Sequence, residues 1–345
     1  MKKFFNSLFS SPLNIVMTLF WLGVLIYIIP PFIKWAFIDA VFVAENGSEC
    51  SRSGACWAFI TARFDDFMFG RYPDEERWRV IAGLLLPLAI IISGLFLSTQ
   101  KRTAAFFIGV LCFPFSVFFF FYGGFFGLEV VETRVWGGFA LTLVIAATSI
   151  ASALPLGIIL ALGRRSEMPV VSMLCTIFIE TARSVPMITI LFVAAIMFPF
   201  FVPEGVEVDK LLRTIVAVAL FAGAYMAEVI RGGLQALPKG QYEAASAMGH
   251  GYWQTMGLVI LPQALTISIP AIVNLFIVYF KDTTLVIVIG LFDLMNMVVI
   301  TTSDPEWFGY AIEGYLFVAF VFFVFCFCMG QYARKLEERQ SKKRS

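Results

Sequence analysis

The residues best placed to do chemistry stand out because most of their surroundings are apolar. One run is Glu243-Ala244-Ala245, followed by Gly249 and closed by Leu261-Pro262, in the stretch EAASAMGHGYWQTMGLVILP. Residues 241–248 are expected to form a short helix with a face of small side chains, Ala244, Ala245 and Ala247. Gly249 can take the left-handed conformation that ends a helix. Residues 250–258 then form a second amphipathic piece, and Pro262 restarts the chain as the next long helix at a fixed angle. Small side chains let such a helix seat deeply in a groove on another protein, so the chemistry expected here is docking; an ordinary interhelical connection is the plain alternative. A second group consists of ionisable residues in or beside apolar runs, where a charge is costly and therefore points to function. Glu180 and Arg183 lie three apart on one helix face, as do Glu228 and Arg231. Each set has a structural or coupling role open to it. Lys281-Asp282-Thr283-Thr284 could recognise a zwitterionic amino-acid head, Lys281 meeting the carboxylate and Asp282 or the threonine hydroxyls the ammonium. Alternatively the Lys–Asp pair neutralises itself and locks a kink. Glu313 is a second candidate for the same pathway.

These residues need helices in a bilayer to position them. Of 345 residues, 60 % are hydrophobic and 14 % charged, more apolar surface than a water-soluble domain of this length can hide. The apolar blocks approach the roughly 20 residues that cross about 30 Å of hydrocarbon. Lipid offers the backbone no hydrogen-bond partner, so the spans are expected to be helices. The pattern predicts an all-α polytopic membrane protein with about eight transmembrane helices, at 13–30, 80–98, 104–128, 139–162, 185–202, 211–230, 264–289 and 307–329. Residues 169–184 read as an interfacial helix feeding the fifth span. Lys2 and Lys3 precede an apolar stretch too long for a signal-peptide core, so no cleaved leader is expected.

The basic residues orient this arrangement. Lys2/Lys3, Lys101/Arg102, Arg164/Arg165, Arg231/Lys239 and the tail from Arg334 to Arg344 fall on one side, expected to be the cytoplasm, with both termini there. Glu129, Glu132, Glu204, Glu207, Asp209, Asp304 and Glu306 fall on the other, with Lys34, Arg134, Lys210 and Arg213 as basic exceptions. Cys50 and Cys56 share an outer loop, where an oxidising compartment permits a disulfide; two separate thiols are the alternative. The chain divides near Arg134. Residues 1–133 carry three phenylalanine-rich helices that read as a lipid-facing accessory, 134–331 hold nearly all the unusual polar features, and 332–345 form a charged cytoplasmic tail.

Several chemistries are missing. No G-x-x-x-x-G-K-[ST] sequence occurs to cradle nucleotide phosphates. His250 is the sole histidine and lies in the docking stretch, so it reads as a surface contact and no metal site is expected. No nucleophile–base arrangement suggests a membrane enzyme, and nothing suggests a nucleic-acid partner.

The docking stretch resembles the EAA loop of ABC importer permeases. Glu180-Thr-Ala-Arg183-Ser-Val-Pro186 is similar to the E-x-x-R-[GS]-x-P segment of the polar-amino-acid permease family. Ala224-Tyr-Met-Ala-Glu228-Val-Ile-Arg231-Gly-Gly, with Leu237-Pro238 and Gly240-Gln241, resembles the segment leading into that family's EAA loop. Lys281-Asp282-Thr283-Thr284-Leu285 resembles its KDTSL, with Thr for Ser. The resemblance covers roughly residues 136–331. The N-terminal part, with Gly54-Ala-Cys-Trp and Tyr72-Pro-x-x-x-x-Trp78-Arg79, looks like the longer M-type permease of general L-amino-acid importers. The resemblance implies a five-helix type I ABC importer (MetI-like) core in a bacterial inner membrane. It further implies that Glu243, Ala244, Ala245, Gly249, Leu261 and Pro262 couple to a separate ABC ATPase dimer that holds the ATP and Mg, this chain binding no cofactor. A periplasmic amino-acid-binding protein would deliver an L-amino acid, and a second permease would complete the pathway, a shorter homologue or a second copy. The competing class is an ion-coupled secondary transporter. That class usually shows repeated halves, which this sequence lacks.

Overall fold

The computed structural model describes the backbone of residues 9–51, 53–94, 96, 99–203 and 205–344, and their side chains except at 99–104, 106–107 and 339–344. Lys2, Lys3, Glu204 and the side chains of Lys101, Arg102 and the end of the tail therefore lie outside the described residues.

Helices dominate. Among them, in chain order, are α1 (Pro12–Ile33), α2 (Arg77–Gly94), α3 (Thr99–Val117), α4 (Gly138–Arg164), α5 (Pro169–Ser184), α6 (Met187–Phe192), α7 (Lys210–Gln235), α8 (Lys239–Ala247), α9 (Tyr252–Gln254), α10 (Leu261–Asp282), α11 (Leu294–Thr301) and α12 (Ala311–Arg344), with two short helices, Ala58–Ala62 and Phe64–Phe69, between α1 and α2. Six stretches are long and apolar enough to cross a membrane: Pro12–Ile38, Asp74–Gly94, Gly138–Arg164, Lys210–Gln235, Tyr252–Ile289 and Ala311–Glu338. A seventh arises if α5 and the helical run Met187–Phe201, bent by 104° against each other, count as one span. The expected third span is α3 and its continuation, whose apolar part, Ile108–Tyr122, is short. The expectation of eight thus meets six or seven by length and composition, among the described residues. The charged tail continues α12 as helix rather than leaving it at residue 329.

Prolines mark where the helices change pitch. A proline lacks an N–H and its ring presses on the carbonyl four residues back. π-helical turns absorb that mismatch: Val193–Met197 precede Pro199, and Thr255–Ile260 precede Pro262. The second case corrects an expectation. Pro262 does not restart the chain; helix runs from α9 through the π turns into α10 as one candidate span. In the first case Arg213 donates to the carbonyls of Ala195 at 2.8 Å and Ala194 at 3.3 Å.

Contacts group the chain into two compact units, one of residues 1–64 with 298–317, the other of 65–297 with 318–345. This grouping differs from a division at residue 134. In the first unit α1 is exposed all round, with no buried residue. The rest of that unit is a polar-rimmed lobe. Cys50 and Cys56 are disulfide-bonded, with Cα atoms 5.7 Å apart. Phe59 packs on Trp307, ring centres 5.7 Å apart, and both are buried. Tyr310 donates to the Gly47 carbonyl at 2.6 Å, and Arg63 pairs with Asp304 and, at 3.6 Å, with Glu306.

In the second unit α4 and α7 pack closely because small residues face the partner helix. A Cβ on Gly157 would come 2.6 Å from Met226, and one on Gly223 would come 2.5 Å from Leu156. α7 and α10 run antiparallel: Ser268 donates to the Val229 carbonyl at 3.2 Å, and a Cβ on Gly233 would lie 2.6 Å from the Ala264 oxygen. α2 and α3 carry an exposed apolar face, with Leu85, Ile108 and Phe115 on it, and a second face packed inward. Val80, Val117 and Phe121 share a buried core with Trp136, Leu141 and Val144. Arg79, fully buried, donates to the Phe120 carbonyl at a helix end and the Glu129 carbonyl of the following loop, at 2.8 and 2.9 Å, satisfying acceptors that lipid could not. Asp293 caps α11, accepting from the Met295 and Asn296 N–H groups at 3.3 and 3.1 Å.

Candidate functional site

The docking stretch is a built turn. α8 ends in a Schellman motif: Gly249 donates to Ser246 at 2.9 Å and His250 to Ala245 at 3.2 Å. Gly249 takes φ +80°, the left-handed conformation that glycine adopts without strain. α9 opens on Gly251, whose N–H is met by the Gln254 side chain at 3.2 Å. Two faces follow from the helical repeat. Ala245 is fully buried and anchors α8. Tyr242 adds a second anchor: Arg165 at the end of α4 donates to its hydroxyl at 3.2 Å, and that hydroxyl donates to the Leu234 carbonyl of α7 at 3.4 Å. Glu243, Ala244, Ala247 and Met248 are exposed on the opposite side, and Tyr252, Trp253 and Leu258 extend that face, Trp253 to 76 % exposure. The sequence pointed to the small residues; it did not separate the anchor Ala245 from the free face, nor single out the aromatic pair Tyr252–Trp253. Leu261 is half-buried at the head of α10 and Pro262 is exposed beside it.

Behind this loop lies an ionic cluster. Glu180 and Arg183 do not pair with each other. Glu180 pairs with Arg164 at 2.8 Å, and Arg183 reaches Glu228 at 3.7 Å. Glu228 also receives Arg164 at 2.6 Å and Arg231 at 2.7 Å. Three helices are tied together: Arg164 ends α4, Glu180 and Arg183 end α5, and Glu228 and Arg231 lie on the last turns of α7. Arg164 bridges two carboxylates in forked geometry, the strong form of the interaction. It was legible in the sequence only as a topology charge, because its partners lie 16 and 64 positions away.

Lys281 and Asp282 close α10, where the α-helix gives way to the tighter turns Thr283–Ile289. Lys281 is exposed and Asp282 half-buried. Thr283, fully buried, donates to the Phe280 carbonyl at 2.7 Å, and Thr284 donates to the Lys281 carbonyl at 2.9 Å. Both threonine oxygens keep acceptor capacity for a donor such as an ammonium. Glu313 is in the first turn of α12 and belongs to the first unit. It is 5 % exposed and accepts from the Cys56 N–H at 3.1 Å, so it closes the disulfide-bonded loop within the first unit.

Comparisons with known proteins place the chain in a family. The family model described as "Binding-protein-dependent transport system inner membrane component" matches residues 153–342. The chain is 51 % identical over 334 residues to the inner membrane amino-acid ABC transporter permease protein YhdY of Escherichia coli, covering 97 % of this chain and 91 % of that one. It is 38 % identical over 406 aligned positions to the glutamate/glutamine/aspartate/asparagine transport system permease protein BztC of Rhodobacter capsulatus, covering 97 % and 92 %. Among solved structures, an amino acid ABC transporter crystallised with histidines matches with TM-score 0.52 and 30 % identity, over 59 % of this chain and 92 % of that one. Nothing in these matches supports an ion-coupled transporter. A family match over more than half the length and a relative 51 % identical over nearly the whole chain lead to one conclusion: the chain belongs to the binding-protein-dependent transport system inner membrane component family and is an ABC transporter permease.

Proposed function

We propose that this permease carries L-amino acids into the cytoplasm by alternating access, driven by an ATPase on separate subunits that grip α8 and α9. One observation carries the assignment: the turn at Gly249 is fixed by backbone hydrogen bonds while Met248, Tyr252, Trp253 and Leu258 stay exposed beside Glu243. A rigid handle of that kind transmits motion. α8 is anchored on α4 and α7 through Tyr242, and α9 runs without a break into α10, so displacement of the handle moves the ends of three spans. The Arg164–Glu228 cluster keeps α4, α5 and α7 moving together.

The substrate is read as an L-amino acid because the relatives named above are amino-acid transporters and because Lys281, Asp282 and Thr284 offer complements to a carboxylate and an ammonium. A binding protein delivers it at the outer face. A second permease, a shorter homologue, supplies the other half of the pathway. ATP and Mg act on the ATPase dimer. Both termini are cytoplasmic in this arrangement, residues 134–331 form the transport core, and residues 1–133 form an extension with its own outer loop.

The test is uptake by the complete complex in proteoliposomes. ATP inside the motor compartment is expected to drive accumulation, and collapse of ion gradients to leave it intact. The double variant Glu243→Ala/Gly249→Val is expected to lose motor attachment and uptake together. Lys281→Ala is expected to assemble normally and lose uptake. Full attachment and transport by the double variant would end the coupling assignment; normal uptake by Lys281→Ala would remove Lys281 from the pathway.

A further inference from the structure

Between the Lys281 group and the ionic cluster sits a layer of rings. On α7, Phe221 and Tyr225 are one turn apart with ring centres separated by 5.1 Å. Tyr279 of α10 meets both, 6.3 Å from Phe221 and 6.4 Å from Tyr225, edge to face. Tyr279 is 3 % exposed. Tyr225 lies three residues from Glu228 on α7, and Tyr279 three residues from Asp282 on α10, each about 4.5 Å along its helix axis. The rings therefore separate Lys281, Asp282 and Thr284 on one side from Glu228 and Arg231 on the other.

Arg183 joins the layer to the cluster. Its guanidinium carbon lies 5.5 Å from the Tyr225 ring centre while the same group reaches Glu228. The Tyr225 hydroxyl donates to the Arg183 carbonyl at 3.5 Å. Arg183 is also the penultimate residue of α5, immediately before the 104° bend. A change in that bend moves Arg183 off the ring, and an element with two arrangements is what a gate requires.

We propose that Tyr225 and Tyr279 form the inner closure of the substrate pathway and that Arg183 is its latch. The proposal rests on the reading that substrate sits at Lys281–Thr284. A solute at that level reaches the cytoplasmic side only when the two rings part. Arg183 is a positioning residue in this scheme: it holds the Tyr225 ring toward Tyr279 by stacking, and releases it when α5 swings at its bend.

The experiment uses the complete reconstituted complex without nucleotide, with Cys112, Cys175, Cys326 and Cys328 replaced by serine and Thr284→Cys as reporter. A membrane-impermeant thiol reagent is applied from the motor side. Tyr225→Ala and Tyr279→Ala are each expected to raise the labelling rate of the reporter about tenfold through a larger open population. Tyr225→Phe, which keeps the ring, is expected to label at the parent rate, and Arg183→Leu to fall between. Met226→Ala is the packing control, since Met226 is buried against Gly157 and away from the rings. Unchanged labelling in both alanine variants overturns the proposal, as does equal acceleration in Met226→Ala. A second arm needs no alanine variant to fold: Tyr225→Cys/Tyr279→Cys, bridged by a short reducible bifunctional reagent, is expected to stop uptake until the bridge is reduced. Undiminished uptake with the bridge in place also overturns the closure. Protection of the reporter by an equimolar mixture of protein amino acids lacking cysteine reports the substrate site separately. Accelerated labelling without protection leaves the gate standing and removes the site.

Discussion

Gly249→Ala isolates the backbone of the docking turn. At φ +80° an L side chain sets its Cβ against the following carbonyl, which costs about 1–2 kcal/mol. No heavy atom lies within 4 Å of the position that Cβ would take, so no steric term is added and none is relieved. The variant changes the population of the turn and leaves the exposed face chemically intact. A loss of about 1–2 kcal/mol lowers that population by up to roughly 5–30-fold. The apparent Kd for the ATPase dimer rises by the same factor, because only the competent conformer binds. Gly249→Asn, which tolerates the left-handed region, is expected to lose less than Gly249→Ala. Gly251 is the internal control. Its φ is −69° and nothing lies near its Cβ position, so Gly251→Ala is expected to bind like the parent. The assay is equilibrium binding of the ATPase dimer to permease in nanodiscs. Parent-like affinity for Gly249→Ala, or an equal loss in Gly251→Ala, would refute the argument that the left-handed turn organises the handle.

Arg164→Gln removes the partner of Glu180 and one of three cations on Glu228, and is expected to lower stability by about 1–3 kcal/mol, read as a drop in Tm in detergent. Arg164→Lys is expected to recover only part of this, because an ammonium lacks the fork that reaches two carboxylates. Cys50→Ser/Cys56→Ser opens a loop with a sequence separation of 6, worth about 2 kcal/mol by chain entropy, and is expected to speed proteolysis within residues 41–63. Burial pushes the Asp293 carboxyl up to about 7, against the pull of the N–H groups of Asn296 and Met295. The folded state then holds a proton that the unfolded state releases, so this contribution is present at low pH and is lost as pH rises through 7. Asp293→Asn keeps an acceptor for the cap and is expected to flatten the fall in Tm between about pH 4 and 7.

Local patterns were legible from residues alone. Gly249 at the end of a small-residue helix predicted a left-handed stop, and the structure has a Schellman turn there. Long apolar runs predicted helices, and α4, α7, α10 and α12 lie where those runs are. What escaped depends on distance along the chain. Spacing suggested Glu180 with Arg183, yet each found a partner on another helix, since three helix ends converge on Arg164 and Glu228. Pro262 looked like a fresh start because its missing N–H breaks an α-helix; six residues of π turn before it let the helix continue. Glu313 lies in the last candidate span, two residues after its start, and its carboxylate serves a loop N–H 257 positions away that spacing could not show. The many phenylalanines of α3 and the turns after it suggested an outward apolar face, and Phe115 and Phe118 are exposed; what spacing did not show is the core around Phe121, which binds the other face to α4.

The bond from Cys56 to Glu313 spans 257 positions. During synthesis at about 5–20 residues per second, roughly 13–50 s separate the emergence of its two ends. The segment around Cys50 and Cys56 must therefore wait for the last helix to be made. Its six-residue staple can close locally in that interval and keep the waiting segment compact until Trp307, Tyr310 and Glu313 arrive to complete the lobe. A ribosome that stalls before the final helix would leave this lobe half-made, and a quality-control protease would find its substrate there.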